Sequence, residues 1–297
     1  GTREAPLTSK AGLARAAGQP FDPDRIGLFE TLFSALRETI PEERRAPARN
    51  AGENANLAFF EAYFSNFIEG TEFSVEEAAE IVFDGVIPAE RPEDAHDILG
   101  TFRIVSDQQA MKTLPTSFTS FLDLLRARHA AVMEARPDKG PGEFKLKGNQ
   151  AGSTVFVAPE LVEGTLVRGF EFLQALGDPF QRAVYMMVLV SEVHPFADGN
   201  GRVARIMMNA ELVAGAQERI IIPTAYRTDY LGALKAFSHN GHTEPLIRML
   251  ARAQRFTGSI DWNTMASARV MLEAGNAFAE GEDAKLKFPE SGQESLK

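Results

Sequence analysis

Apolar residues recur at helical spacing along most of this 297-residue chain, whereas the alternation typical of β-strands is scarce. Phe60 and Phe64, for example, share one helix face, and Gly70 ends that helix. The only strand candidates, residues 144–147 and 154–157, flank a glycine-rich stretch and are predicted to pair as a hairpin. We therefore predict an all-α fold with one small β-hairpin.

Capping signals locate the starts of several predicted helices. Ser74 with Glu77 forms a capping box, and Asp178 before Pro179 combines a favourable N-cap with a proline in the first turn. Helices are predicted, among others, over residues 74–83, 92–112, 118–135, 201–214, 229–237, 244–256 and 262–279. The chain then divides into an N-terminal arm (1–23), an N-terminal helical region (24–112), a core with the hairpin (113–256) and a C-terminal helix with a polar tail (257–297).

Composition is that of an ordinary globular protein and excludes several kinds of site. Hydrophobic residues make up 44% and charged residues 24%, and the absence of cysteine excludes disulfides, cysteine-ligated zinc and thiol nucleophiles. A formal net charge of −10 disfavours a broad nucleic-acid-binding face. The sequence has neither an uncharged apolar run of about 18 residues nor an N-terminal apolar stretch of signal-peptide length. We therefore predict a cytoplasmic protein with no nucleic-acid or membrane partner.

The most informative segment, residues 194–205, reads His-Pro-Phe-Ala-Asp-Gly-Asn-Gly-Arg-Val-Ala-Arg and joins one apolar helix to the next. Gly199 and Gly201 permit backbone geometries in which successive N–H groups point into one concavity. This concavity lies at a helix N-terminus, where free amides and the helix dipole favour an anion. Arg202 and Arg205 are three residues apart and share a helix face, so both can reach the same phosphates.

Two further side chains of this segment supply chemistry. Asp198 offers a hard carboxylate oxygen suited to Mg²⁺ that is also bound by phosphates, and His194 can accept a proton near neutral pH. Taken singly, each residue also has an ordinary structural explanation, in a turn or a helix cap. The other histidines show no metal-ligand spacing and are predicted to be structural: His96, His129, His239 and His242.

Together these twelve residues resemble the signature of the Fic family, His-Pro-Phe-x-Asp/Glu-Gly-Asn-Gly-Arg-x-x-Arg, at every fixed position. The resemblance implies a mostly helical bundle that transfers AMP from ATP to a Ser, Thr or Tyr hydroxyl of a target protein. The roles it implies are His194 as the base, Asp198 as the Mg²⁺ ligand, Gly199, Asn200 and Gly201 as the anion hole, Arg202 as a phosphate contact and Arg205 as the γ-phosphate ligand. Doc-type members, which phosphorylate, carry Lys at the position of Gly201.

A second segment, Ser65-Asn66-Phe67-Ile68-Glu69-Gly70, resembles the inhibitory helix that some Fic proteins carry before the core. Alone it is better explained by a solvated glutamate near a helix C-cap. Ser65 and Glu69 are four residues apart and share one helix face. The resemblance implies that Glu69 forms a bidentate pair with Arg205 and so withholds the cation that the γ-phosphate needs.

The hairpin resembles the flap that aligns the target segment in this family, although a plain surface hairpin explains it equally well. Two other functions stay open at this point. One is removal of AMP from a modified target, with Glu69 orienting water; the other is a non-catalytic nucleotide-binding module. UTP, GTP or a CDP-linked donor in place of ATP is also open, and the sequence is compatible with a monomer or an oligomer.

Overall fold

The computed structural model describes residues 19–281 and 284–288, so most of the predicted arm (1–23) and part of the polar tail lie outside the described residues. The α-helices of the described ranges are α1 (Pro23–Glu38), α2 (Ala51–Ile68), α3 (Val75–Ala79), α4 (Pro92–Ser106), α5 (Gln108–Lys112), α6 (Phe118–Val132), α7 (Val162–Gln174), α8 (Pro179–Val193), α9 (Asn200–Ala214), α10 (Arg227–Asn240), α11 (Glu244–Gly258) and α12 (Met265–Ala274). One two-stranded sheet accompanies them, with β1 (Gln150–Ala151) antiparallel to β2 (Thr154–Val155). The predicted all-α fold with a small hairpin is confirmed.

Helices α8 and α9 form the centre of the molecule and pack against each other. The apolar run from Ala183 to Val190 is buried on every side of α8, as expected for a helix that other helices surround. Helices α1 and α7 cover α8, α5 and α6 cover α9, and α2 packs against α4. The loop between α8 and α9 is therefore held by a rigid core at both ends. None of the helices in the described ranges combines the length and apolarity that crossing a bilayer requires.

The capping signals act as predicted. The Ser74 hydroxyl accepts from the Glu77 amide while the Glu77 carboxylate accepts from the Ser74 amide, and Asp178 caps the start of α8. The helix predicted over 92–112 is interrupted at Asp107, which is a correction. The Asp107 carboxylate accepts from the first amides of α5, and aspartate is more stable in such a cap than inside a helix.

Two other predicted helices are shorter than the sequence suggested. The helix expected over 74–83 is α-helical only to Ala79 and continues as one π-helical turn, Glu80–Asp84. The helix expected over 262–279 begins later because Thr264 is its N-cap, with its hydroxyl accepting from the Ser267 amide at 2.9 Å. Both differences arise from local hydrogen bonds at helix ends.

The prediction of a strand over 144–147 is wrong. The Lys145 N–H donates to the Pro195 carbonyl at 2.8 Å, so this segment is bound to the loop between α8 and α9 and not to a partner strand. The strands of the hairpin lie within 150–155, with Gln150 opposite Val155. The short hairpin is thus attached at its base to the segment that carries the conspicuous motif.

Candidate active site

His194 ends α8 in a left-handed conformation, with φ of 52° and ψ of 57°. This conformation is uncommon outside glycine, and it occurs where surrounding contacts hold the backbone in place. The ring stacks on Phe156 with centroids 3.8 Å apart, and Nδ1 lies 3.3 Å from the Ser191 carbonyl oxygen. Because a carbonyl only accepts, Nδ1 carries the proton, which leaves the Nε2 lone pair available to a substrate.

The surroundings of His194 keep its imidazole neutral. Burial, with a smaller contribution from the nearby Lys145 ammonium, lowers the pKa of His194 to about 4. The Ser191 carbonyl and the carboxylates of Glu69 and Asp198 act in the opposite direction. The ring is therefore unprotonated at neutral pH, which is the state that a general base needs.

The loop after His194 is closed by its own hydrogen bonds. The Asn200 carboxamide accepts from the Phe196 N–H at 2.8 Å and donates to the Phe196 carbonyl at 2.9 Å. The Phe196 ring is fully buried. The sequence placed Asn200 in an anion hole. Its side chain shapes the loop instead, so only its backbone N–H remains for an anion.

His129 supports this loop from α6. Its ring stacks on Phe196 at 3.6 Å, its Nδ1 accepts from the Gly142 N–H at 3.0 Å, and its Nε2 donates to the Asp198 carbonyl at 2.8 Å. These contacts fix the tautomer with the proton on Nε2. The structural role predicted for His129 agrees with this arrangement. The sequence did not predict which residues His129 contacts.

Acid should destabilise the protein through His129. Burial lowers the pKa of His129 to about 4 from its ordinary value of 6.5, so the unfolded chain binds more protons between these values. Stabilisation by the neutral ring is complete above pH 6.5 and is lost as the pH falls towards 4. We expect His129→Gln to remove about 1 kcal/mol of the decrease in unfolding free energy between pH 7 and 5.5. Urea unfolding measures this, and the exposed His96, replaced by Gln, is the control; equal pH slopes in the parent and His129→Gln would contradict the assignment.

The start of α9 offers unpaired amides. Gly199 is its N-cap with φ of 75°, and the first hydrogen bond of the helix runs from the Val203 N–H to the Gly199 carbonyl at 3.1 Å. The amides of Asn200 and Gly201 precede that bond and have no acceptor within the helix. A Cβ at Gly199 would lie 2.7 Å from Met133 Sδ, so a side chain would not fit there. Unpaired amides at a helix N-terminus are groups that can bind an anion, so the anion site stays a prediction at this position.

Arg202 is held in place by Asp97, a buried residue of α4. Arg202 Nη1 lies 2.8 Å from Asp97 Oδ2 in an ion pair without a well-directed hydrogen bond, and the buried Arg202 Nε has no partner in the described ranges. Arg136 also binds Asp97, at 2.8 Å. Unsatisfied buried donors are costly, so this guanidinium has donors available for an additional anion. Asp97 carries no sequence signal and was missed.

Arg205 is bound by the two residues predicted for the inhibitory helix. Its Nη2 donates to Glu69 Oε1 at 2.6 Å and to the Ser65 carbonyl at 2.8 Å, while Nε donates to the Ser65 hydroxyl at 3.0 Å. The pair of Glu69 with Arg205 is monodentate, which corrects the bidentate contact expected from the sequence. Ser65 occupies Nε and one Nη2 hydrogen, so both oxygens of Glu69 cannot bind the Nε–Nη2 edge of the guanidinium. The Tyr230 ring lies beneath the guanidinium, 5.8 Å from its Cζ atom.

The Glu69 carboxylate lies directly over Gly201. A Cβ at Gly201 would be 2.1 Å from Glu69 Oε1, a distance that no side chain permits. Glu69 is the C-cap of α2, and Gly70 follows with φ of 90°. The carboxylate therefore occupies space next to the first turn of α9, beside the unpaired amides.

Asp198 is the site's accessible carboxylate. Oδ1 accepts from the Gly199 N–H at 2.6 Å, and the side chain is 45% exposed. No cluster of three or more His, Asp or Glu side chains that could hold a metal occurs among the described residues. One carboxylate with substrate phosphates and water is nevertheless the usual environment of Mg²⁺ in nucleotide sites, so Asp198 fits an ion brought in by a nucleotide.

Comparison with known proteins connects this geometry to a family. A family model described as Fic/DOC family matches residues 118–212. Among curated proteins, the chain is 26% identical to a protein adenylyltransferase fic-1 of Caenorhabditis briggsae, over 68% of this chain and 42% of that protein. It is also 26% identical to a protein adenylyltransferase Fic of Drosophila persimilis, over 78% of this chain and 46% of that protein. The chain thus spans less than half of the length of these relatives.

Solved structures agree on the fold. A structure of Fic-1 from C. elegans, residues 134–508, matches with a TM-score of 0.55 at 19% identity, covering 89% of this chain and 74% of that one. A Fic family protein from Desulfovibrio desulfuricans gives a TM-score of 0.54 at 19% identity, covering 93% of this chain and 79% of that one. With the family-model match over residues 118–212 and the related sequences, these findings show that the chain contains a Fic/DOC-family domain and has the Fic fold.

Proposed function

We propose that this chain is a self-inhibited protein adenylyltransferase, which transfers AMP from ATP to the side-chain hydroxyl of a target protein. The observation that carries the proposal is the Glu69–Arg205 contact within an otherwise complete anion site. That site has free amides at the start of α9, an incompletely paired guanidinium at Arg202 and a neutral base at His194. The names of the curated relatives support the same activity.

The reaction follows from the positions of the donors and the base. His194 Nε2 accepts the proton of the target hydroxyl, and the hydroxyl oxygen attacks the α-phosphorus. A new P–O bond to the target forms while the bond between the α- and β-phosphates breaks, and pyrophosphate leaves. Charge on the phosphate oxygens is stabilised by the amides of Asn200 and Gly201 and by the Arg202 guanidinium.

Mg²⁺ enters this proposal together with ATP. Asp198 is the residue that would hold it, since one of its carboxylate oxygens is free of the Gly199 amide and reaches solvent. When bound, the ion neutralises phosphate charge and orients the triphosphate. His129 binds the Asp198 carbonyl and so fixes the direction of this residue.

Inhibition follows from the competition for Arg205. A γ-phosphate needs the guanidinium that Glu69 and Ser65 hold, and it needs the space in which the Glu69 carboxylate lies. ATP then binds only in a pose whose α-phosphorus is not aligned with the target hydroxyl. Displacement of Glu69 frees the cation and restores a productive pose.

The hairpin is the proposed docking element for the target backbone. The side chains of Leu146 and Val155 are largely exposed beside it. Arg25 and His239 hold β2 in place, since Arg25 Nη2 donates to the Val155 carbonyl at 2.6 Å and His239 Nε2 lies 2.8 Å from the Thr154 hydroxyl. A held strand with exposed flanking side chains can accept an added strand of a target.

A second candidate is the reverse reaction, hydrolysis of AMP from a modified target. Glu69 favours it because its carboxylate is partly exposed, with 31% of the side chain accessible, and makes a single bond to Arg205. The other carboxylate oxygen can orient a water beside the anion site. Water would attack the phosphorus while the bond from phosphorus to the target oxygen breaks, and the proton lost by the water would pass to that oxygen, which leaves AMP and the free hydroxyl.

Label position in ATP tests the proposed reaction. The Glu69→Gly variant is incubated with ATP labelled on the α- or the γ-phosphate, with labelled GTP and UTP as competing donors. AMP transfer leaves the α-label on protein and releases the γ-label in pyrophosphate, whereas phosphorylation gives the opposite pattern. Release of AMP from a pre-modified target by the parent chain would favour the reverse reaction. ATP binding without transfer of either label would show a non-catalytic nucleotide module.

A further inference from the structure

Helices α2 and α9 face each other with polar residues at four-residue spacing on both. The spacing places each set on one helix face, and the two sets run in opposite order along the chain. The pairs that meet are Glu61 with Asn209, Ser65 with Arg205, and Glu69 with Arg205 and Gly201. The inhibitory contact is therefore the last member of a longer row.

Glu61 anchors the buried end of this row. Oε1 accepts from Asn209 Nδ2 at 2.8 Å, and Oε2 accepts from Arg219 Nη1 at 2.6 Å. All three side chains are buried. Arg219 also donates to the Val105 carbonyl at 2.7 Å, which connects the group to α4. We call Glu61, Asn209 and Arg219 the register pin.

The register pin is itself fixed to backbone. The Asn209 carboxamide accepts from the Ile220 N–H at 2.8 Å and donates to the Ile220 carbonyl at 2.9 Å. The Asn209 side chain therefore cannot rotate, and α9 cannot shift relative to Ile220, without breaking a buried hydrogen bond. Unpaired buried polar groups are costly. Glu61 accepts from a donor whose position is already determined.

Glu69 lacks such an anchor of its own. It ends α2 and makes one bond to Arg205. Its carboxylate lies over Gly201, where an added Cβ would be 2.1 Å from Oε1. Glu61 and Glu69 are eight residues apart, which is about 12 Å along a helix, so a rotation or slide of α2 moves Glu69 directly. Arg227 Nε of α10 donates to the Ile68 carbonyl at 3.1 Å and so contacts the backbone of the same helix end.

We propose that Glu61, through the register pin, is a positioning residue for inhibition: it fixes the rotation and axial position of α2 so that Glu69 reaches Arg205. This inference rests on the proposed function, because it assigns the control of that same site. Buried ionic and polar groups are known to specify helix register in other folds. Here the register that they specify decides whether the γ-phosphate ligand is free.

Glu61→Gln is the test variant, and Glu211→Gln is the matched control. Glu211 is a buried carboxylate of α9 that binds Arg182 at 2.8 Å on the side facing α8, so its loss leaves the contact of α2 with α9 unchanged. Glu61→Gln should raise labelling from α-labelled ATP about three- to thirtyfold over the parent. In a Glu69→Gly background it should give no further increase. Glu211→Gln should leave labelling in both backgrounds within about twofold of the unmutated form.

A purely structural role predicts a different pattern. Glu61→Gln would then lower labelling in both backgrounds, and that result overturns the proposal. An equal increase in the parent and Glu69→Gly backgrounds also overturns it, because Glu61 would then act without Glu69. If Glu61→Gln fails to fold, Glu61→Leu with Arg219→Met replaces the ion pair by apolar side chains and removes the register pin without leaving a buried charge.

Hydrogen exchange separates this inference from the transferase proposal. If Glu69→Gly transfers no label from any donor, the proposed function fails while the register pin can still be assessed. Glu61→Gln should accelerate exchange of the amides in residues 66–71 about tenfold or more over those of Glu211→Gln, which has the same loss of a buried charge. Equal exchange of these amides in the two variants would overturn the register pin.

Discussion

AMP transfer should fall about a hundred- to ten-thousandfold when His194 is replaced by alanine in the Glu69→Gly background. The reason is that the unprotonated Nε2 is the proposed base for the target hydroxyl, whereas the proposed phosphate ligands are the α9 amides and the arginines. ATP affinity should therefore stay within about twofold of the unmutated form. Initial rates with α-labelled ATP and titration calorimetry measure the two quantities.

The backbone of His194 calls for a second variant. Alanine is strained at a φ of 52°, whereas asparagine adopts the left-handed conformation more readily and offers no base. His194→Asn should lose transfer to the same extent and keep more stability. The exposed His96, replaced by Ala, is the control for loss of a histidine. Transfer at the unmutated rate by a folded His194→Asn would remove the base assignment.

Glu69→Gly should have the second large effect, an increase in transfer of about thirty- to a thousandfold. The estimate corresponds to the loss of one partly desolvated ion pair, about 2–4 kcal/mol. Arg205 is then free for the γ-phosphate, and the space over Gly201 is open. Self-modification with α-labelled ATP is the direct measurement.

Two conservative variants refine this prediction. Glu69→Gln keeps the size and one acceptor but removes the charge, so its activity should lie between those of the parent and Glu69→Gly. Glu72→Gln removes an exposed charge three residues further along and should change nothing. Equal activity of Glu69→Gly and the parent would contradict self-inhibition at this site.

The sequence predicted the parts of the site that depend on local order. The end of α8, the glycines and the first turn of α9 lie within twelve residues, so spacing alone determined which groups share a helix end. The position of Glu69 relative to Arg205 came from family resemblance, since a contact between residues 136 positions apart has no local pattern.

The residues that the sequence missed support the site from other helices. Asp97 forms a buried ion pair with Arg202, and Glu61 accepts a buried hydrogen bond from Asn209; neither lies in a recognisable motif. His129, predicted to be structural, binds the Asp198 carbonyl, a contact that the sequence did not predict. Their neighbours in sequence look like ordinary helix residues, because tertiary packing alone determines which of them meet α9. The wrong strand at 144–147 has the same origin, as its partner is the Pro195 carbonyl and not another strand.

Because the Glu69 carboxylate lies over Gly201, position 201 cannot carry a side chain while Glu69 stays where it is. Any residue larger than glycine at 201 would displace the Glu69 carboxylate. If the proposed inhibition holds, a single substitution there would both relieve it and change the residues that line the phosphate site. A related sequence with lysine at 201 could still carry glutamate at 69, yet that glutamate would no longer inhibit transfer. One substitution would then remove inhibition by Glu69 and also change the chemistry of the phosphate site.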